Sequence, residues 1–142
     1  MCKFVIEGGN RLSGEIDIEG SKNAVLPILA ATVLNKGTSI IKNCPRLRDV
    51  EVAVEILNKI GCKTTYSDDS LYIDTTDITE SKIPEDLAAE MRSSIIFLGP
   101  MLSRCKQVTI SYPGGCDAFL KHYLLPFINL TYRTSLNILK FA

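Results

Sequence analysis

Tyr112, Pro113, Gly114, Gly115 and Cys116 place a thiol on a Pro-Gly-Gly turn directly after the strand-like run Lys106 to Ser111. Two consecutive glycines let the backbone take positive φ and approach a ligand closely, so the next side chain projects from a loop instead of packing into a core. A thiol displayed this way serves as a nucleophile or a proton donor, and nearby cations lower its ordinary pKa of about 8.5. The same residues also describe a surface turn that ends in cysteine, and the local sequence does not choose between the two.

Two further features could do chemistry. Gly20, Ser21, Lys22 and Asn23 lead into an apolar run, combining a flexible backbone, free N–H groups at a helix mouth and one ammonium, which together suit a small anion. The spacing is not that of a Walker A loop. Arg92 falls one step off the apolar stripe of its segment, where the stem can pack while the guanidinium reaches a cleft; a solvated helix arginine would occupy the same position. His122 is the only histidine, so no serine, histidine and aspartate set and no zinc cage is arguable.

The elements that must position these residues are legible from periodicity. Residues 3 to 7 and 14 to 18 alternate about Gly8, Gly9, Asn10 and Gly14, predicting two strands joined by a turn. Ala24 to Leu34 is apolar on every side and predicts a buried helix; Pro27 favours a first helical turn, which puts Lys22 and Asn23 at the mouth and outside the helix. Thr38 to Lys42 predicts a strand, followed by a helix with Val50, Val54, Leu57 and Ile60 on one stripe and Gly61 closing it. Strands are expected at 62 to 66 and 71 to 75 about the turn Ser67 to Ser70. A third helix is expected from Pro84 and Glu85, with Leu87, Met91, Ile95 and Leu98 buried until Gly99 and Pro100 disturb it. Strand pairs alternating with single helices give an α/β or α+β layered fold of repeated strand-helix units.

With 142 residues, 46% hydrophobic, the chain has the length and apolar content of one ordinary domain. Sixteen basic residues balance sixteen acidic ones, so the broad field of a nucleic-acid binder is missing and any anionic partner should be small. No segment has the length of apolar sequence that spans a bilayer, and the chain does not open on a leader pattern, so a cytoplasmic protein is expected, with no nucleic-acid or membrane partner. The five cysteines, Cys2, Cys44, Cys62, Cys105 and Cys116, are odd in number and widely spaced, which argues against a disulfide framework. Cys44, Cys62 and Cys105 are expected to be small apolar fillers.

Four elements, taken in order, resemble one family. Gly8 to Gly14, then Gly20, Ser21, Lys22, Asn23 and Ala24, then Met91, Arg92, Ser93 and Ser94, and finally Pro113 to Cys116 are similar to the UDP-N-acetylglucosamine 1-carboxyvinyltransferases, over about residues 3 to 116. The resemblance implies an inside-out α/β barrel of the enolpyruvyl transferase type. It implies transfer of the enolpyruvyl group from phosphoenolpyruvate to the 3′-hydroxyl of UDP-N-acetylglucosamine, the committing step of peptidoglycan synthesis, with no metal or organic cofactor. It further implies that Lys22 and Asn23 contact phosphoenolpyruvate, that Arg92 contacts UDP-N-acetylglucosamine, and that Cys116 is the proton donor. A shikimate-pathway enolpyruvyl transferase shares the fold and chemistry but typically has Ser-Lys-Ser where this chain has Ser21, Lys22 and Asn23, and it lacks the Pro-Gly-Gly-Cys loop.

The chain departs from the family after Cys116. An Arg-Pro motif is expected there, but Lys121 stands at the arginine position and no proline follows, so the arginine's role does not carry over to Lys121. Residues 117 to 142 contain no glycine, one acidic residue and five of the ten aromatic residues, and no turn or capping pattern organises them. The expected organisation is a strand pair over 1–20 that belongs to a second domain in the family, an incomplete first domain over 21–116, and a non-family tail over 117–142 produced by a reading-frame slip. Members of the family are several hundred residues long, so a shortened chain of this kind is expected to be inactive alone, and a noncatalytic remnant is the alternative from another functional class.

Overall fold

The computed structural model describes residues 3–9, 11–111 and 139–141. In chain order the elements are α1 (Lys22–Thr32), β1 (Thr38–Lys42), α2 (Arg48–Lys59), β2 (Lys63–Ser67), β3 (Ser70–Asp74), α3 (Glu85–Glu90), a 3-10 helix (Arg92–Phe97), α4 (Leu98–Cys105), β4 (Val108–Ile110) and β5 (Leu139–Phe141). The first three strands form an antiparallel sheet in the order β1-β3-β2. On the central strand Leu71 and Ile73 are buried while Tyr72 faces out, the period-2 pattern of a sheet covered on one face. Mixed helix and strand in layers agrees with the expected class.

Helix α2 organises the core. Its stripe is broader than periodicity suggests: Val52, Ala53 and Ile56 are buried along with Val50, Val54 and Leu57, because the helix packs against α1, α3 and the sheet strand β2 at once. Asp49 and Glu51 sit in its first turn and Lys59 in its last, each charge favouring the helix dipole. The stop is a Schellman motif, in which the Gly61 N–H bonds to the Asn58 carbonyl and the Cys62 N–H to the Leu57 carbonyl. Gly61 has φ +107°, and a Cβ there would lie 2.6 Å from Thr79 Oγ1, so both the turn and the close approach require glycine.

Three expectations need correction. Residues 3–9 and 11–20 form no strands; Phe4, Ile6, Leu12, Ile16 and Ile18 are each at least 87% exposed, so their alternating faces have no sheet or core among the described residues to bury against. The α1 helix begins at Lys22, with Pro27 inside it, and one face is buried through Val25, Leu26, Leu29 and Ala30 while Ile28 is exposed. The single helix expected from Pro84 is broken at Met91, which is extended with φ −111° and ψ 107°. The buried Ser94 hydroxyl donates to the Ala88 carbonyl, which Arg92 N–H would have used in a continuous helix, so a side chain competes successfully with the backbone. Gly99 and Pro100 then fall in the first turn of α4 and do not end a helix, because proline costs little where no N–H is needed.

The chain from Ser81 to Ile83 runs beside β4, with Thr109 N–H bonding to the Ser81 carbonyl and Ile83 N–H to the Thr109 carbonyl. The other edge of β4 pairs in parallel with β5, an element that no local sequence signal announces. No helix among the described residues is long and apolar enough to cross a membrane.

Candidate active site

A cleft of ≈ 500 Å³ is lined by Lys22, Asn23, Leu26 and Pro27 of α1, Asp49 of α2, Glu90 at the end of α3, and Arg92, Ser93 and Ile96 of the 3-10 helix. Three of the residues singled out for chemistry, Lys22, Asn23 and Arg92, therefore line one cleft although 69 or more positions separate the first two from the third. Cys116 lies outside the described residues.

Local structure explains how each reaches the cleft. Gly20 packs directly on the chain before α2: a Cβ there would lie 2.2 Å from the Asn43 carbonyl oxygen and 3.1 Å from Pro45 Cδ. Glycine at this position is thus a matter of close backbone approach, which fixes the entry to α1. Ser21 is the N-cap residue yet makes no side-chain cap. Its carbonyl accepts from the Ala24 and Val25 N–H groups, and the N–H groups of Lys22 and Asn23 keep the free donor character of a first helical turn. Pro27 has no N–H to give to the Asn23 carbonyl, so that oxygen too loses its helical partner. The break at Met91 does the same service on the facing wall, since Met91 is buried and Arg92, the next residue, is exposed.

Two carboxylates share the cleft. Lys22 Nζ donates to Asp49 Oδ2 at 2.8 Å. Glu90 accepts from Arg48 Nε at 2.6 Å, and Arg48 also approaches Glu51 at 3.6 Å; the Glu90 bond and charge hold the exposed Arg48 guanidinium above its ordinary pKa. Arg92 has no acidic partner within 4 Å among the described residues. Among the described residues Lys22 is thus a balanced cation and Arg92 an unbalanced one. Asp49 and Glu90 were missed by sequence reasoning: Asp49 reads as a first-turn acid of α2 and Glu90 as a solvated helix residue, and their pairing across 27 and 42 positions is tertiary.

The remaining described thiols behave as fillers. Cys44 and Cys62 are buried and Cys105 is partly so. Burial pushes Cys62 up to about 11, and burial likewise raises Cys44 and Cys105, which keeps all three as unreactive thiols near neutral pH.

A family model described as EPSP synthase (3-phosphoshikimate 1-carboxyvinyltransferase) matches residues 6–119. UDP-N-acetylglucosamine 1-carboxyvinyltransferase 2 of Caldanaerobacter subterraneus subsp. tengcongensis is 52% identical over 117 residues, covering 82% of this chain and 28% of its own. UDP-N-acetylglucosamine 1-carboxyvinyltransferase of Dichelobacter nodosus is 49% identical over the same length, again with 82% of this chain and 28% of the relative covered. The crystal structure of the enolpyruvyl transferase NikO from Streptomyces tendae matches with a TM-score of 0.61 at 29% identity, over 68% of this chain and 23% of that one. The chain spans about 28% of the length of the two curated relatives.

Proposed function

The chain belongs to the EPSP synthase family, and from that premise we propose that it supplies one wall of the active site of a UDP-N-acetylglucosamine 1-carboxyvinyltransferase. The observation that carries this reading is the meeting of Lys22, Asn23 and Arg92 on one cleft. The names and the 52% and 49% identities of the relatives favour UDP-N-acetylglucosamine over shikimate 3-phosphate as acceptor.

The reaction adds the acceptor's 3′-hydroxyl to C2 of phosphoenolpyruvate while C3 takes a proton. The bond from C2 to the phosphate oxygen then breaks, C3 gives a proton back, and inorganic phosphate leaves. Such a path needs cations around carboxylate and phosphate and an acid beside C3. In the proposed assignment, Lys22 and the first turn of α1 hold the donor anion, with Asn23 offering a carboxamide beside them. Arg92, which has no counter-ion among the described residues, takes the sugar nucleotide's charge, and Cys116 delivers the proton. The exposed apolar side chains over residues 3–18 fit packing on a second domain, with residues 21–116 as part of the first. A tail written in a shifted frame after Cys116 is part of the same reading; the family match itself continues to residue 119.

A second reading, that the chain alone turns nothing over, is favoured by its 28% span of the relatives. The function is therefore best tested in a chimera in which residues 1–116 replace the matching stretch of the Caldanaerobacter enzyme. Lys22→Ala is expected to raise the KM for phosphoenolpyruvate about tenfold, the loss of one charge-assisted hydrogen bond, with a smaller change for the sugar nucleotide. Arg92→Ala should show the opposite bias. Steady-state kinetics on both substrates decides it, and equal effects of the two variants on both substrates would remove the assignment.

A further inference from the structure

Asp49 has no place in the mechanism above, yet it faces the site's main ammonium. Its carboxylate accepts from Lys22 Nζ at 2.8 Å, with the two side chains 38% and 46% exposed, and both residues line the cleft beside Asn23. The backbone under Asp49 is fixed, because the Val50 and Glu51 N–H groups bond to the Leu47 carbonyl at 2.9 and 3.0 Å. Lys22, by contrast, carries its charge on a flexible four-carbon stem that can change partners without moving its helix. Glu90 does not play the same part, since Arg48 already holds it at 2.6 Å.

We infer that Asp49 is an internal counter-ion for the anion site: it holds the Lys22 ammonium while the cleft is empty and yields it to an incoming phosphate- or carboxylate-bearing ligand. It thereby sets how tightly that ligand binds. This rests on the reading that Lys22 faces the anionic donor. A half-exposed ion pair is weak, and that weakness is what allows exchange. A buried pair would trap the ammonium, because an ion stripped of water is released only at high cost. The price of the contact is a modest loss of anion affinity, about three- to fivefold, and it shrinks as salt screens the pair.

The test titrates inorganic phosphate, then phosphoenolpyruvate, into the 142-residue chain at low ionic strength and follows the Asn23 and Ala24 amide resonances, whose dispersion also reports folding. Asp49→Asn is expected to lower the half-saturating phosphate concentration about three- to fivefold, with the gap closing in added salt. Asp49→Glu should return the affinity toward that of the natural chain, and Lys22→Ala should abolish the response. Asp49→Ser, which keeps a polar group in the first helical turn, serves as the second neutral variant if asparagine disturbs the fold. Phosphate that needs Lys22 but binds the neutral variants no more tightly overturns the inference and leaves the proposed function standing. No response in any variant also overturns the inference, while the chimera still tests the proposed function; binding that survives Lys22→Ala overturns both.

Discussion

Replacing Cys116 by alanine in the chimera is expected to lower turnover about 10²–10⁴-fold, the usual contribution of a positioned general acid. Enolpyruvyl transfer cannot proceed until C3 takes a proton, and in the proposed assignment Cys116 is the group that delivers it, Lys22 being given over to the donor anion and Arg92 to the sugar nucleotide. Substrate binding should change little, so the loss falls on kcat more than on KM. In the chain itself the same thiol should be the first to react with iodoacetamide. Cys62 is pushed up to about 11 and Cys44 is also raised, both by burial, so neither forms much thiolate until strongly alkaline pH. Peptide mapping that finds Cys44 or Cys62 labelled first in folded protein would contradict the account.

Phe97→Ala should be the most disruptive single change to the fold, costing about 3–5 kcal/mol against a total of about 5–15 kcal/mol for a domain of this size. Phe97 is fully buried at the junction of the 3-10 helix and α4, so the cavity would open at the far end of the 3-10 helix that begins with Arg92. Phe4→Ala is the control: Phe4 is 90% exposed, and its loss should change stability by less than about 0.5 kcal/mol. Urea unfolding of the two variants checks both numbers, and a loss below about 1 kcal/mol for Phe97→Ala would mean that the core is wrongly described.

These two phenylalanines show what the sequence could and could not convey. Both sit in apolar runs, and only tertiary packing separates them. Strand β1 was legible to the residue, and α2, β2 and β3 to within a residue or two, because each has its own period and its own stop signal in Gly61 or the Asp68-Asp69 turn. The helix break at Met91 was not legible. Its cause is a hydroxyl-to-carbonyl bond from Ser94 to Ala88, and serine in a helical pattern has no sequence mark that tells such a bond from a solvated side chain. Pro27 misplaced the start of α1 by two residues: proline prefers a first turn, but burial of Val25, Leu26 and Leu29 outweighed that preference. At the site, Lys22, Asn23 and Arg92 were found as separate motifs, and their convergence, with the carboxylates set against them, belongs to the fold.

The central claim, that residues 1–116 carry the donor- and nucleotide-binding wall and the acid of a UDP-N-acetylglucosamine transferase, is tested most directly by phosphate release from the chimera. With phosphoenolpyruvate and UDP-N-acetylglucosamine the account predicts sustained turnover, none when shikimate 3-phosphate replaces the sugar nucleotide, and none from the 142-residue chain alone. A folded chimera that is silent with UDP-N-acetylglucosamine, or that accepts shikimate 3-phosphate instead, would contradict it.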